Sequence, residues 1–250
     1  MRSHVVSVIV PSYNESATIK GLLEGLIEQS YELEHLEMVI ADGGSTDGTV
    51  DVINEFRLQH PELNLRIVHN PDHTIPAGLN TAISEASGST IVRLDAHSRP
   101  NVDYIERSLE TLATTRAANV GGIWEILPSG DGWISRSIAS AAASWLGAGD
   151  ARYRVGGEAG PVDTVPFGAY PKEWLDKVGP FDETLLTNED YEYNHRIRQA
   201  GGVVWFDPSI RSQYFARSSL SALARQYARY GFWKARMVVR HPQSVRLRQL

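Results

Sequence analysis

The 250-residue sequence contains no cysteine, and it has no uninterrupted apolar segment of the length that crosses a membrane. The absence of cysteine excludes disulfide bonds and thiolate metal ligands, which fits a reducing compartment. A membrane-spanning helix needs about 18 or more apolar residues. The first residues also lack the apolar core of a signal peptide. We therefore expect a cytoplasmic protein that is either soluble or peripheral to a membrane.

Acidic and basic residues are distributed unevenly along the chain. The net charge at pH 7 is −6, but nine of the 24 basic residues follow residue 210 and no acidic residue does. This asymmetry predicts a tail that binds an anionic surface. Alternatively, the tail neutralises the acidic body of the same protein.

Hydrophobic periodicity predicts alternating strands and helices in the first half of the chain. The predicted strands are 5–10, 36–41, 65–69 and a short apolar run that ends at residue 95. The predicted helices are 17–29, 50–59, 75–86 and 102–114. This alternation favours an α/β fold with a parallel sheet and right-handed crossovers.

The second half of the chain is less regular. The predicted strands are 120–127, 165–169 and 203–206, the predicted helices are 134–149, 174–178 and 188–200, and 153–163 is predicted to be a flexible loop. The sequence shows neither a repeat nor a low-complexity linker. We therefore predict one α/β domain over 1–210, followed by a basic helical extension over 211–250.

The segment Asp95-Ala96-His97 is the first candidate for a functional site. In an open α/β sheet, ligands bind beyond the carboxyl ends of the strands, where these residues would lie. Side chains two positions apart in an extended chain point the same way, so Asp95 and His97 would face one cleft. A carboxylate and an imidazole together can hold a divalent metal ion. Alternatively, the segment is an ordinary polar turn in which Asp95 caps the strand.

Asp42 ends the second predicted strand and precedes two glycines. A carboxylate at this position can accept hydrogen bonds from a base or a ribose, and the glycines let the backbone approach a ligand closely. The spacing matches neither a P-loop nor a dinucleotide-binding fingerprint, which argues against an NTPase and a nicotinamide enzyme. Because Asp-Gly turns are common, this motif is weak by itself.

Asn188-Glu189-Asp190 opens a predicted helix, with Asn188 as its N-cap. The functional interpretation is that Asp190 faces the cleft as a general base, and we expect the helix N-terminus to keep it ionised at neutral pH. Alternatively, these acidic residues only stabilise the start of the helix. Arg196, on the same helix, would bind a phosphate or form a surface ion pair.

The basic tail has the periodicity of an amphipathic helix. Its arginine stripe contains Arg225, Arg229, Arg236 and Arg240, and its apolar face contains Leu220, Leu223, Tyr227, Tyr230, Met237 and Val238. Such a helix can lie on an anionic membrane, or it can pack its apolar face on the domain with the arginines in water. The sequence leaves both arrangements open. Gln226 and Arg229 are the residues that we expect to turn towards the cleft.

Six motifs in this order resemble those of the inverting family 2 glycosyltransferases with the GT-A fold. The motifs lie at 8–15, 42–49, 95–97, 179–183, 188–190 and 226–230. More narrowly, the chain resembles bacterial enzymes of the succinoglycan type, which build exopolysaccharide on lipid carriers. The resemblance implies a Rossmann-like, mostly parallel sheet flanked by helices, with the amphipathic extension after it.

The resemblance also implies a set of site residues. The nucleotide sugar would bind Pro11, Tyr13, Asn14, Glu15, Asp42, Ser45, Asn80, Arg93, Asp95 and Ala96. Mn²⁺ or Mg²⁺ would bind Asp95 and His97, and Asp190 would deprotonate the acceptor hydroxyl. The acceptor and diphosphate would contact Trp124, Gly168, Glu189, Gln226, Arg229 and Tyr230.

The implied partners follow from the same resemblance. The donor is expected to be a UDP-sugar, with a GDP-sugar as the alternative, and the acceptor a saccharide or a lipid-linked sugar. The basic helix would place the protein at the cytoplasmic face of a membrane, and relatives of this type continue into membrane helices. No nucleic acid is expected to bind.

Two motifs depart from the family pattern. The usual D-x-D reads Asp95-Ala96-His97 here, and the usual Q-x-x-R-W ends in Tyr230. His97 would ligate the metal as a neutral imidazole, so acid would weaken the site. Alternatively, Asp95 binds the metal through water and His97 contacts a phosphate.

Two other functions compete with the glycosyltransferase interpretation. A nucleotidyltransferase on a similar sheet would need a glycine-rich, basic N-terminal loop, which this sequence lacks. A non-catalytic module that binds nucleotide sugars or glycans in an assembly complex would tolerate the altered D-x-D motif.

Overall fold

The computed structural model describes residues 5–144, 151–217 and 219–240, which form a central β-sheet flanked by helices. The strands are β1 (Val6–Ser12), β2 (Leu36–Asp42), β3 (Asn64–His69), β4 (Thr90–Arg93), β5 (Ser98–Pro100), β6 (Asn119–Pro128), β7 (Gly160–Pro161), β8 (Ala169–Pro171) and β9 (Val204–Ala216). The helices are α1 (Ile19–Ile27), α2 (Thr49–Gln59), α3 (Ile75–Glu85), α4 (Tyr104–Thr115), α5 (Trp133–Ala142), α6 (Arg152–Val155), α7 (Lys172–Val178), α8 (Glu189–Gln199) and α9 (Leu220–Arg240). A short 3₁₀ helix, Leu33–His35, precedes β2.

The sheet has a parallel half and a mixed half. Its strand order is β3-β2-β1-β4-β8-β6-β9-β5, and β7 pairs with β9. Strands β1 to β4 are parallel, as the sequence pattern predicted. Strands β6 and β9 are also parallel, whereas β8 is antiparallel to both β4 and β6. The sequence pattern therefore identified the parallel half, and the later strands add antiparallel pairs to it.

Both faces of the parallel half are buried, which explains why its strands are almost continuously apolar. Alternate residues of β1 point to opposite faces, so that Val8 and Ile9 belong to different hydrophobic clusters. The cluster around Val8 includes Leu22 of α1 and Ile105 of α4. The cluster around Ile9 includes Leu79 of α3. With both faces covered by helices, the edge where the strands end is the place left for a ligand.

The strand register brings three predicted site segments to that edge. Ser12, the last residue of β1, is level with Asp42, the last residue of β2. Arg93, the last residue of β4, is level with Ile9 of β1. The loop after β1, the turn after β2 and the turn after β4 therefore leave the sheet side by side.

Two predicted elements of the second half were wrong. Residues 153–163 were predicted to be a flexible loop, but they contain most of α6 and all of β7. The strand that was predicted at 165–169 is β8, which begins only at Ala169. Phe167 has a φ of 49°, and this left-handed backbone interrupts an extended chain before Ala169.

Two other elements differ in length from their predictions. The strand predicted at 203–206 continues as β9 to Ala216, so the sheet includes residues beyond position 210. The helix predicted at 134–149 is α5, and its predicted part from residue 145 lies outside the described residues.

The tail forms the predicted helix, α9, over 21 residues. In the part of the chain that the structure describes, no helix is both long and apolar enough to cross a membrane. The end of the predicted extension, from residue 241, lies outside the described residues.

Candidate functional site

A pocket of about 210 Å³ lies at the edge where the parallel strands end. Its lining comes from the loop after β1, the connection between β3 and α3, and the turn after β4. The lining residues are Pro11, Ser12, Tyr13, Glu15, Asn70, His73, Thr74, Ile75, Asp95, Ala96 and His97. The structure thus brings together six of the predicted site residues, namely Pro11, Tyr13, Glu15, Asp95, Ala96 and His97.

The sequence analysis missed the connection between β3 and α3, which supplies Asn70, His73, Thr74 and Ile75 to the pocket. Only the position of this segment in the sequence could have indicated its role. It follows a parallel strand, and the carboxyl ends of parallel strands lie at the ligand-binding edge. His73 has a φ of 55°, and its imidazole Nδ1 contacts the carbonyl oxygen of Gly43. This contact joins the glycine turn to the connection between β3 and α3, which contains none of the six motifs.

Hydrogen bonds join the loop after β1 to the turn after β2. The backbone N–H of Asn14 donates to Ser45 Oγ at 2.9 Å, and Asn14 Oδ1 accepts from the Thr46 N–H at 2.9 Å. The Glu15 N–H donates to Thr49 Oγ1 at 2.8 Å. Asn14 and Ser45, both predicted to bind the nucleotide, therefore also fix the two loops to each other.

Asp42 is buried, and its carboxylate is engaged within its own turn. It accepts hydrogen bonds from the N–H groups of Gly44 at 2.9 Å and Ser45 at 3.0 Å, and from Ser45 Oγ at 2.6 Å. The carboxylate thus shapes the glycine turn. Its contact with a base or ribose stays a prediction.

Asp95 and His97 reach the same pocket through a turn. The chain leaves the extended conformation after Arg93 and turns at Ala96 and His97, so the alternation expected of a strand was the wrong reason for their proximity. Asp95 Oδ1 lies 3.2 Å from Arg93 Nη2, and His97 Nδ1 lies 3.2 Å from Glu15 Oε1. Burial lowers the pKa of His97, but the hydrogen bond with Glu15 and the charge of Asp95 raise it, and the net shift is upward.

The chemistry of Asp95 and His97 fits a divalent metal ion that is also bound by phosphate. Mn²⁺ accepts both carboxylate and imidazole ligands, and Mg²⁺ commonly takes one or two carboxylates together with substrate phosphates. Within the described residues, the one group of three carboxylate or imidazole ligand atoms close enough to share an ion is Glu32, Glu34 and His35. That group precedes β2, at the opposite end of the strand from the pocket. At the pocket itself, a diphosphate would have to complete the coordination of an ion held by Asp95 and His97.

A buried arginine underlies the pocket. Arg93 is only 2% exposed, and its guanidinium contacts three carboxylates. Nη2 lies 2.9 Å from Glu189 Oε1 and 3.2 Å from Asp95 Oδ1, and Nη1 contacts the Asp190 carboxylate. The predicted role of Arg93 in binding the nucleotide sugar stays a prediction, and the observed role is to join the end of β4 to the start of α8.

The pKa of the Asp190 carboxyl group is raised above its usual range. Burial raises the pKa of Asp190 to about 8, with the carboxylates of Glu189 and Asp95 adding to the increase and Arg93 opposing it. Burial and the neighbouring carboxylates therefore act against the expectation that the helix N-terminus keeps Asp190 ionised at neutral pH. A helix N-terminus provides only about half a unit charge, and here burial and two neighbouring carboxylates outweigh it.

Asn188 precedes α8 as predicted, but its side chain does not cap the helix. Its φ is 67°, and its Nδ2 donates to the carbonyl oxygen of Tyr230 at 3.4 Å. Gln226 Nε2 donates to Tyr230 Oη at 2.9 Å and to Tyr214 Oη at 3.2 Å. Residues Gln226 and Tyr230 therefore face the domain near the start of α8, whereas Arg229 is exposed.

Three further predicted residues have structural contacts. Asn80 is bonded to the backbone of Phe181 by both its amide nitrogen, at 3.0 Å, and its amide oxygen, at 2.8 Å. Arg196 forms the predicted ion pair, which is bidentate and joins it to Glu192, but Glu192 is buried rather than at the surface. A Cβ on Gly168 would lie 2.1 Å from Asn119 Oδ1, which shows close packing at that position.

Trp124 lies in an aromatic cluster with Tyr214, Tyr153 and Phe167. Its ring stacks on Tyr214 with centroids 4.4 Å apart and an interplanar angle of 4°. The rings of Tyr153 and Phe167 lie 5.2 Å and 5.1 Å away. Tyr214 is also 6.2 Å from the His97 ring, so this cluster adjoins the pocket.

Comparison with known sequences gives consistent matches. The profile described as Glycosyl transferase family 2 matches residues 7–179. A dolichyl N-acetyl-alpha-D-glucosaminyl phosphate 3-beta-D-2,3-diacetamido-2,3-dideoxy-beta-D-glucuronosyltransferase of Methanococcus voltae is 30% identical over 239 residues, which is 93% of this chain and 74% of that protein. The succinoglycan biosynthesis protein ExoA of Rhizobium meliloti (strain 1021) is 30% identical over 245 residues, 97% of this chain and 73% of that protein.

Comparison with solved structures gives matches of similar extent. The mannosyltransferase PcManGT from Pyrobaculum calidifontis, in complex with GDP-Man and Mn²⁺, has a TM-score of 0.66 and 25% identity, covering 84% of this chain and 56% of that one. S. aureus TarS 1-349, in complex with UDP-GlcNAc, has a TM-score of 0.67 and 19% identity. The match covers 86% of this chain and 59% of the TarS chain. The likeness to TarS concerns the fold alone. This chain spans less than two thirds of these solved proteins.

Replacing Arg93 with methionine is expected to destabilise the protein in a pH-dependent way. Loss of one partner from a buried ion pair costs about 3–5 kcal/mol. Ionised carboxylates left together repel one another, and protonation relieves this repulsion. The loss of unfolding free energy should therefore be larger at pH 8.5 than at pH 5.5, as measured by urea unfolding.

Arg99→Met is the control, because Arg99 pairs with Glu28 at the surface and should contribute no more than about 1 kcal/mol. Equal losses in the two variants would contradict the role assigned to Arg93.

Proposed function

The chain belongs to glycosyl transferase family 2, and from this membership we propose that it is an inverting, metal-assisted glycosyltransferase that uses Asp190 as its general base. Its fold is of the GT-A type, as the sequence resemblance predicted. Its general activity is sugar transfer in polysaccharide or glycan biosynthesis. The observation that best supports the roles proposed for the metal and the base is the position of Arg93. Its guanidinium contacts both Asp190 and Asp95, and Asp95 lines the pocket.

The donor that we propose is a nucleoside diphosphate sugar, with UDP as the first choice. TarS has been solved with UDP-GlcNAc and PcManGT with GDP-Man, which supports this class of donor. The pocket offers the ring of Tyr13, which is 54% exposed, and the polar side chains of Asn70 and His73. Aromatic rings stack on bases, and amide and imidazole groups can bond to base edges. The nucleoside would therefore occupy this pocket, with the diphosphate directed towards Asp95 and His97.

The acceptor hydroxyl would be activated by the Asp190 carboxylate. Once its proton passes to Asp190, the hydroxyl oxygen can attack the anomeric carbon from the face opposite the diphosphate, which inverts that centre. One carboxylate is sufficient for this displacement, because the nucleoside diphosphate leaves as a stable anion. A bound Mn²⁺ or Mg²⁺ on Asp95 and His97 would stabilise the negative charge of that leaving group.

The raised pKa of Asp190 suits a base, provided that enough of the carboxylate is ionised. A general base works best when its pKa lies near the working pH. Burial and the charges of Glu189 and Asp95 raise the pKa of Asp190, and Arg93 keeps it from rising further. Arg93 also fixes the carboxylate in position, since their contact crosses from β4 to α8.

The Asp190→Asn variant is expected to lose transfer about 10²–10⁴-fold, because an amide cannot accept the proton. The affinity for UDP should stay within about twofold. Transfer would be measured as the release of UDP. The donors would be a panel of UDP-sugars, and the acceptors would be free saccharides and saccharides linked to a lipid phosphate. In the wild type the rate should rise with pH as Asp190 loses its proton, with a midpoint near pH 8.

Asp176→Asn provides the control, because Asp176 is an exposed carboxylate on α7. It should retain both activity and UDP affinity. A parallel loss of UDP affinity in Asp190→Asn would argue against a role as base. A wild type that binds UDP but releases none with any acceptor would favour a non-catalytic binding module.

Mn²⁺ is expected to tighten UDP binding about tenfold or more, a difference of about 1.4 kcal/mol. Calorimetric titration of UDP into metal-free protein, with and without Mn²⁺, would measure this gain. His97→Ala should lose most of the gain, and acid should reduce it in the wild type, because protonated imidazole cannot ligate a metal. His35→Ala, at the opposite end of β2, should keep the gain. Equal UDP affinity with and without Mn²⁺ in the wild type would exclude this metal site.

We further propose that α9 binds the surface of an anionic membrane. Its exposed side chains include the apolar residues Leu220, Tyr227, Phe232 and Val239, which are 62%, 46%, 58% and 81% exposed. They also include Arg225, Arg229 and Arg236, and α9 contains no acidic residue. A helix exposed only to water would carry polar residues on that face, whereas adjoining apolar and cationic stripes suit a membrane interface. The sequence left packing and membrane contact as alternatives, and this exposure favours membrane contact.

Charge reversal on α9 should weaken binding to vesicles that contain phosphatidylglycerol. Each basic residue near an anionic surface contributes about 1 kcal/mol, so Arg225→Glu with Arg236→Glu should lower the partition coefficient at least tenfold. The matched control is Arg57→Glu with Arg116→Glu, two exposed arginines elsewhere on the domain. Co-sedimentation with phosphatidylglycerol and phosphatidylcholine vesicles measures the effect. Equal losses in both double variants, or equal binding to both lipids, would contradict the proposal.

A further inference from the structure

Arg154 is a partly buried arginine that has no anionic partner among the described residues. In the part of the chain that the structure describes, its guanidinium forms neither an ion pair nor a hydrogen bond, although it is partly buried. Arg93, Arg99, Arg196 and Arg211, by contrast, all pair with carboxylates. A cation that is partly removed from water without a counter-charge is costly, and such a position is typical of an anion-binding site.

Two buried N–H donors in this region have no acceptor. The Nε of Arg154 and the Nε1 of Trp124 are both inaccessible to water and lack a hydrogen-bond partner among the described residues. The guanidinium carbon of Arg154 lies 5.6 Å from the centroid of the Trp124 ring. Unsatisfied buried donors are uncommon in folded proteins, and here one belongs to the guanidinium itself and the other to the ring that it lies against.

The phenol groups around Arg154 do not neutralise it. Burial lowers the pKa of Arg154, but the nearby hydroxyls of Tyr153, Tyr230, Tyr214 and Tyr227 raise it, and the net shift is upward. Burial also raises the pKa of Tyr230 to about 12, so this phenol is uncharged at neutral pH. Arg154 is therefore a full positive charge among aromatic rings, and the interactions that balance it within the described residues are cation–π contacts with Trp124 and Tyr153.

This cluster adjoins the pocket at His97. Trp124 stacks on Tyr214, and Tyr214 lies 6.2 Å from His97. Tyr214 also accepts a hydrogen bond from Gln226 at 3.2 Å. The cluster therefore extends from the turn after β4 towards α9, whereas the pocket for the donor extends towards β3.

We propose that Arg154 and the aromatic rings around it bind the acceptor, and that this acceptor carries a negative group. The assignment rests on the proposed function. The planar guanidinium can bind a phosphate or a carboxylate through two parallel hydrogen bonds, and the aromatic rings provide apolar surface for a sugar. The acceptor is thus a sugar that bears an anion, either as the phosphate of a sugar phosphate or as the carboxylate of an acidic sugar.

The test compares soluble anionic and neutral sugars in the presence of UDP and Mn²⁺. Glucose 1-phosphate, glucuronic acid and methyl glucoside are titrated into the wild type, and binding is followed by calorimetry. The wild type should bind at least one of the two anionic sugars about tenfold or more tightly than methyl glucoside. The preference between the two distinguishes a phosphate from a carboxylate on the natural acceptor.

Arg154→Met should abolish this preference while leaving the UDP affinity unchanged, and Arg154→Lys should restore part of it. Arg152→Met is the matched control, because Arg152 lies on the same helix and donates to the carbonyl oxygen of Glu158. Arg152→Met should behave like the wild type. With an acceptor that supports transfer, Arg154→Met should raise KM for the acceptor far more than it lowers kcat.

Three results would overturn the assignment. A wild type that binds neutral and anionic sugars equally would exclude an anion site. Loss of UDP affinity in Arg154→Met would assign Arg154 to the donor diphosphate, and an equal loss of preference in Arg152→Met would remove the specific role of Arg154. The UDP titration separates this proposal from the proposed function: a wild type that binds UDP but prefers no anionic sugar loses only the acceptor assignment, whereas one that binds no UDP loses the function itself.

Discussion

The buried guanidinium of Arg93 is the interaction on which the site depends. Arg93 ends β4, and its partners Glu189 and Asp190 begin α8, about a hundred residues further along the chain. Its third partner, Asp95, lines the pocket. Removing a guanidinium from water is costly, and here three carboxylates offset that cost. The contact therefore joins the pocket to Asp190, the proposed base, although separate halves of the chain provide them.

The same contact leaves the site with more negative than positive charge. One guanidinium faces three carboxylates, so burial and mutual repulsion raise the pKa of Asp190. A diphosphate would add further negative charge beside Asp95. Under the proposed function, a divalent metal on Asp95 and His97 would supply a cation that offsets this negative charge. The charge balance of Arg93 and its partners thus gives a physical reason for metal assistance.

His97 lies where two differently built regions meet. On one side it contacts Glu15, whose loop and the glycine turn are fixed to each other by backbone and side-chain hydrogen bonds. On the other side its ring approaches Tyr214, which belongs to the aromatic cluster and bonds to α9 through Gln226. The parallel half of the sheet thus provides the polar pocket that we propose for the nucleotide, and the mixed half provides aromatic rings and the Arg154 guanidinium. His97 therefore contacts both regions.

The sequence by itself determined the parallel half of the fold and the family, because apolar strands alternate with amphipathic helices and the motifs follow a fixed order. It also placed Asp95 and His97 at the ligand-binding edge, since both follow a parallel strand, but a turn rather than strand alternation brings them to one pocket. Only the tertiary structure decided the state of Asp190 and the position of Arg154. The pKa of Asp190 depends on burial against Arg93, and the isolation of Arg154 depends on rings from three separate segments. Both are properties of long-range packing, which local periodicity does not encode.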